Sequence, residues 1–209
     1  MLEVTVVRHG QSVADVEDRF EGRADFDLTP LGVSQAEKVA EWIKANEDYH
    51  PQVILSSPLK RAERTARIIG AAVGIEPLFD CALLEWDNGE LAGKPKSEGV
   101  KYPLTVCGPV PHWGPYGTES GIDLRARAQK FWTRLLLDYN AEDAKRRVCL
   151  VSHGRFIGTL FRSFLDLPMN TDIGLRTSDT GVHLWRVGRG KRTIVFSNSQ
   201  AHLGPPAAR

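Results

Sequence analysis

Two tripeptides of the same form stand far apart in the chain: Arg8-His9-Gly10 and Ser152-His153-Gly154. Each places a histidine, the side chain best suited to nucleophilic and proton-transfer work near neutral pH, directly after a short β-branched apolar run. In open α/β sheets, ligands bind at the carboxyl ends of the strands, where helix N-termini and loop amides converge. One such histidine reads equally well as a satisfied strand-end residue; a matched pair is harder to dismiss. Arg8 is a poor choice for a core unless an anion pairs with it. The run Ser56 to Ala66 (SSPLKRAERTA) adds more cations. Among them Arg61 falls in the first turn of a helix, where a positive charge opposes the macrodipole unless an anion is near. Guanidinium groups grip phosphate through paired hydrogen bonds. Lys60, Arg61, Arg64 and Arg67 also fit one solvated helix face, and periodicity does not choose among them.

The elements that must hold these residues are legible around them. Leu2 to Val7 reads as a buried strand that ends at the first tripeptide. Thr29-Pro30 gives an N-cap and an N1 proline, followed by Ala36, Val39, Ala40 and Ile43 at helical spacing. Val53 to Leu55 predicts a second strand, and Ser57-Pro58 predicts the cap of a helix carrying Ala62, Ala66, Ile69 and Val73. Leu124, Ala128, Phe131 and Leu135 mark a third long helix. Val148 to Val151 is the strand before the second tripeptide, and Ile157, Leu160, Phe161 and Phe164 mark the helix after it. Gly181 to Val187 and Arg192 to Phe196, joined at Gly188, predict a late hairpin at a sheet edge. Short apolar strands alternating with amphipathic helices imply an α/β fold: a three-layer αβα sandwich on a mostly parallel central sheet, spanning residues 1–209 as one domain.

One stretch breaks the rhythm. Residues 88–121 hold 12 of the chain's 31 glycines and prolines without periodicity, so a small cap insertion is expected there, with Tyr102, Trp113 and Tyr116 favouring order over a linker. Trp42 and Trp132 read as helix-packing residues, and Gly204 to Arg209 as a fraying tail.

Composition narrows the partners. Lys+Arg 27 against Asp+Glu 26 leaves a formal net charge of +1, so no whole-chain field attracts nucleic acid or an anionic membrane, and any anion site must be local. No long apolar run or basic leader is present, and three scattered cysteines (Cys81, Cys107, Cys149) fit neither a disulfide framework nor a zinc knuckle. A cytoplasmic protein is expected.

Five ordered motifs carry a family resemblance. Arg8-His9-Gly10-Gln11-Ser12, Gly22 to Gly32, Ser57 to Ala66, Leu84-Glu85 with Gly89, and Ser152-His153-Gly154 together resemble the histidine phosphatase superfamily, the branch of cofactor-dependent phosphoglycerate mutases and broad-specificity phosphatases. The resemblance implies His9 as the nucleophile that becomes phosphohistidine. It implies Arg8, Arg61 and His153 around the phosphoryl oxygens, with Gln11, Ser12 and Gly154 also binding phosphate, and Glu85 as proton donor to the leaving group. Leu84 and Trp86 are expected to give Glu85 apolar surroundings. Asp15, Trp86, Trp113 and Tyr116 are expected around the leaving group. No cofactor and no metal are implied, and the partner is a small phosphomonoester; a homodimer fits as well as a monomer.

Two departures qualify the resemblance. Asp15 stands where the family commonly has Asn, so it is expected to face a hydroxyl or a cation rather than phosphate. The stretch Glu85-Trp86-Asp87-Asn88-Gly89 lacks the basic residues of the mutase branch. Phosphomonoester hydrolysis is therefore preferred over a phosphoglycerate mutase. A metal-dependent hydrolase using His9 and His153 with Asp15 or Glu85, and a non-catalytic phospho-ligand binder, are the readings from other classes.

Overall fold

The computed structural model describes residues 1–101, 112–140, 144–169, 171 and 173–204. Tyr102, Cys107 and tail residues 205–209 lie outside the described residues. Six strands form one sheet: β1 (Leu2–Arg8), β2 (Val53–Ser56), β3 (Leu78–Phe79), β4 (Arg146–Ser152), β5 (Val182–Gly188) and β6 (Lys191–Ser199). Their order is β3-β2-β4-β1-β5-β6, parallel from β3 through β1 and antiparallel at β5 and β6. The expected edge hairpin is therefore half inside: β6 is the edge, while β5 pairs directly with β1.

Alternation along the strands divides the core into two layers. Leu2, Val4 and Val6 face one side, joined by Val148, Leu150 and Trp185 and covered by α4 (Gly121–Tyr139) and α5 (Gly154–Phe164). Val7, Cys149, Val151 and Ile54 face the other, covered by α2 (Pro30–Ala45) and α3 (Lys60–Val73). That is the three-layer sandwich the pattern predicts. Trp132 is buried against Phe164 and Trp185, and Trp42 stacks on Tyr49, so both serve packing.

Helix starts explain how the site is built. Thr29 caps α2 by accepting the Gly32 N–H at 3.0 Å, with Pro30 at the first position as expected. The start of α3 is a correction: its N-cap is Leu59, with no side-chain cap, not Ser57. The Ser57 hydroxyl is instead held 2.8 Å from the His153 ring, so the cap signal was real chemistry put to another use. The short helix α1 (Val13–Val16) is closed by a capping box between Ser12 and Asp15. In the segment expected as a cap, the described parts are short 3-10 turns at Gly89–Leu91, Lys96–Lys101 and Pro115–Gly117, and a side chain at Gly89 would collide with the Tyr116 backbone.

Candidate active site

β1 and β4 lie side by side with Arg8 opposite Ser152, so their pairing alone brings the two tripeptides together. The His9 N–H bonds to Ser152 O at 3.0 Å, and the two imidazoles stand with centroids 5.0 Å apart, tilted by 57°. Both are buried. Burial, then the nearby charges of Arg61 and Arg8, hold His9 well below the ordinary imidazole value; burial, then Arg61, His9, Arg8 and Arg127, do the same for His153. Both rings are therefore neutral at neutral pH.

Hydrogen bonding fixes the His9 tautomer. Nδ1 lies 2.7 Å from the Gly10 carbonyl, which can only accept, so Nδ1 carries the proton and Nε2 keeps its lone pair. The Arg61 Nε–H points at that lone pair from 3.3 Å. Gly10 is required by close approach: a side chain there would run into the Gly32 carbonyl at the start of α2. Thr65 of α3 accepts the Gly10 N–H at 3.2 Å, tying nucleophile loop and helix together.

The ambiguity among the α3 cations is resolved by burial. Lys60, Arg64 and Arg67 sit at the surface against Asp25, Asp27 and Glu63 with Glu76. Arg61 is fully buried, with Nη1 on Ala24 O at 2.9 Å and Nη2 on Gly22 O at 2.8 Å. Two backbone carbonyls thus hold the guanidinium so that its Nε–H faces His9. Burial lowers the Arg61 pKa, opposed by Glu21, Glu85, Asp15 and Asp25. Arg8 reaches Thr177 O at 3.0 Å and pairs with Asp179 at 3.2 Å and Asp15 at 3.6 Å. Its Nε and the His153 Nδ1 are buried with no hydrogen-bond partner.

Glu85 corrects an expectation. Its carboxylate is not wrapped in apolar surface; it accepts the N–H groups of Trp86 (2.8 Å), Phe156 (2.9 Å) and Arg155 (3.1 Å). The last two belong to the first turn of α5, whose own N-cap, His153, makes no side-chain cap bond, so the Glu85 oxygens take the place of the missing cap. The Trp86 ring instead carries the Arg155 guanidinium, 4.0 Å from its centroid. Arg127 holds this segment by donating to Ala82 O, Leu84 O and Glu85 O while gripping Glu119 through two bonds.

The remaining expected residues divide. Ser12 is buried in the cluster, and Asp15 faces both a hydroxyl (Ser12) and a cation (Arg8), as its chemistry required. Gly154 lies beside Arg8: a Cβ there would be 3.9 Å from the guanidinium. Gln11 turns its amide oxygen to Thr29 at 2.9 Å, a structural bond at the α2 cap. Trp113 is about half exposed (46%). Glu21 and Asp179 were not foreseen, since each lies in an irregular segment, Glu21 among several other acids, where a solvated carboxylate is the ordinary reading. Ser57 was foreseen only as a cap. Among the described residues no three His, Cys, Asp or Glu side chains form a metal-ligand group, and no helix is long and apolar enough to cross a membrane.

Comparison with known proteins places these residues in context. The family model of the histidine phosphatase superfamily (branch 1) matches residues 4–200. A probable phosphoglycerate mutase of Proteus mirabilis is 34% identical over 187 residues, covering 87% of this chain and 83% of the relative. A glucosyl-3-phosphoglycerate phosphatase of Mycobacterium tuberculosis is 30% identical over 176 residues, covering 79% and 76%. Among solved structures, the mycobacterial glucosyl-3-phosphoglycerate phosphatase in complex with VO3 superposes with a TM-score of 0.79 at 26% identity, covering 94% of this chain and 99% of that one. A phosphoserine phosphatase mutant of Entamoeba histolytica in complex with phosphoserine gives 0.74 at 25% identity, covering 97% and 100%.

Proposed function

The chain belongs to the histidine phosphatase superfamily, and from that premise we propose that it is a metal-independent phosphomonoester hydrolase working through a phosphohistidine on His9. The observation that carries the reading is the His9 tautomer. A neutral, buried imidazole donates its Nδ1–H to Gly10 O and keeps Nε2 unprotonated, its lone pair met by the Arg61 Nε–H, which leaves the deprotonated nitrogen that attack needs. The unpartnered Arg8 Nε and His153 Nδ1 support an oxyanion as the missing partner, because buried polar atoms are rarely left unbonded.

In the reaction, the Nε2 lone pair forms the N–P bond as the P–O bond to the leaving group breaks, and Glu85 gives that oxygen a proton. Water then attacks phosphorus, Glu85 takes its proton, and the N–P bond breaks to release phosphate. Arg8, Arg61 and His153 stabilise the equatorial oxygens with fixed donors, and Ser12 and Gly154 border the same space. The substrate is a small phosphomonoester, its leaving group placed on the side of Trp86 and the 112–121 segment. The cytoplasm is its proposed location.

Similarity to a probable phosphoglycerate mutase favours a second reading, isomerisation of phosphoglycerates. Asp15 and Asp179 on Arg8 oppose it, because they set carboxylates beside the site that a second acidic group of such a substrate would meet. The test is phosphate release from a panel of phosphomonoesters after exhaustive chelation, run beside a phosphoglycerate isomerisation assay. Release of phosphate without isomerisation supports hydrolysis, while isomerisation without release overturns it.

A further inference from the structure

Glu21 stands beside the nucleophile and its arginine. Its Oε2 lies 3.9 Å from His9 Nε2 and its Oε1 lies 3.5 Å from Arg61 Nε. An oxyanion delivered to His9 comes against this carboxyl, and two anions at such range repel. The proton count around Ser12 points to how the conflict is settled. The Ser12 hydroxyl accepts the Asp15 N–H at 3.2 Å and lies 3.1 Å from Asp15 Oδ2, which also takes the Ser12 N–H at 2.9 Å. The same hydroxyl oxygen is in hydrogen-bond contact with Glu21 Oε1. A hydroxyl has one proton to give and two lone pairs to offer. Ser12 thus has a single proton to share between two carboxyls, so it cannot remove the Glu21 charge that meets an incoming oxyanion; a proton on Glu21 itself does.

We propose that Glu21 is a neutral carboxylic acid when the phosphoryl group is bound, donating a hydrogen bond to it from beside His9, and that its ionisation closes the site to oxyanions. The inference rests on the phosphatase reading and adds a proton-bearing member to the site. The groups facing Glu21 are Arg8 and His9 from β1, Ser12 and Asp15 from the start of α1, and Arg61 from α3. Burial raises the Glu21 pKa and Asp15 adds to this, against Arg61, the Ser12 hydrogen bond and Arg8. His9 is held neutral throughout the neutral and alkaline range, so it does not contribute a limb there.

The probe is sulfate, a tetrahedral dianion with no proton to exchange in this range, measured as a competitive inhibitor of phosphomonoester hydrolysis and by calorimetry. Above the Glu21 pKa the sulfate inhibition constant of the wild type should rise about tenfold per pH unit. Glu21→Gln, which keeps a donor but cannot ionise, should flatten this limb. Asp179→Asn should retain it, which separates Glu21 from the other carboxyl that burial raises in the site. Calorimetry of the unmodified enzyme needs no variant and should show proton uptake on sulfate binding that grows along the same limb. A limb retained in Glu21→Gln, or sulfate binding without proton uptake, overturns the Glu21 assignment while hydrolysis itself stands. A wild type that neither hydrolyses phosphomonoesters nor binds sulfate overturns both.

Discussion

The two histidine tripeptides end neighbouring parallel strands, yet their rings are wired in opposite senses. His9 bonds through Nδ1 to its own next carbonyl, leaving Nε2 unprotonated and facing Arg61 and Glu21. His153 bonds through Nε2 to the Ser57 hydroxyl, leaving Nδ1 without a partner. The proposed division of tasks, attack at His9 and phosphate binding at His153, rests on this difference between the same residue type at equivalent strand ends. What differs is which ring nitrogen is bonded and what faces the other.

That contrast is open to breakage by substitution. His9→Ala should remove about 10⁴-fold or more of kcat for phosphomonoester hydrolysis, as expected for loss of a covalent nucleophile. His153→Ala should cost about 10²–10³-fold, the range for one fixed transition-state donor, and should still allow single-turnover labelling. Equal losses at the two positions would erase the proposed division of labour. A second contrast lies within α3: Arg61→Ala should cost about 10²–10³-fold by the same reasoning, while Arg64→Ala, at the exposed Asp27 pair, should leave kcat/KM nearly unchanged. Ser57→Ala removes one hydrogen bond from His153, worth about 1 kcal/mol, and should lower kcat about fivefold without changing the labelled residue.

The smallest effect is on stability. His9, His153, His183 and His202 are held neutral in the fold mainly by burial, the last two with pKa values lowered to about 4. Unfolded chains take up those protons below about pH 6.5, so the contribution is complete above that value and is lost as the pH falls. For His183 and His202 the loss runs down to about pH 4. Tm measured against pH should decline through this window. A flat profile would show that these rings are not held neutral.

Much of this arrangement is written locally in the sequence. The strand before each tripeptide, the Thr29-Pro30 cap and the apolar stripes of α2 to α5 all depend on short-range periodicity and turn chemistry, and they form where expected. The site was legible where a residue's type is costly out of context, as with Arg8, or repeated, as with the histidines, while Arg61 stood as one of four cations until burial singled it out. It was not legible where a common residue acquires its role through tertiary contact. Nothing around Glu21 distinguishes it from a solvated acid until α3 brings Arg61 beside it. Ser57 gave a cap signal because Ser-Pro is cap chemistry, and only the pairing of β2 with β4 reveals that its hydroxyl serves His153. Glu85 was named, but its surroundings were misjudged: the neighbours that decide them are backbone amides of α5, more than sixty residues later in the chain. Strand β3, two exposed residues long, left no pattern to read.

The central claim is that His9 is phosphorylated during turnover, and trapping that species tests it most directly. Rapid quenching during hydrolysis of a labelled phosphomonoester, followed by peptide mapping, should find an acid-labile, alkali-stable phosphoryl group on the peptide containing His9. It should be absent in His9→Ala and present in His153→Ala. A label on His153, or full turnover with no phosphoenzyme at any quench time, would contradict the account.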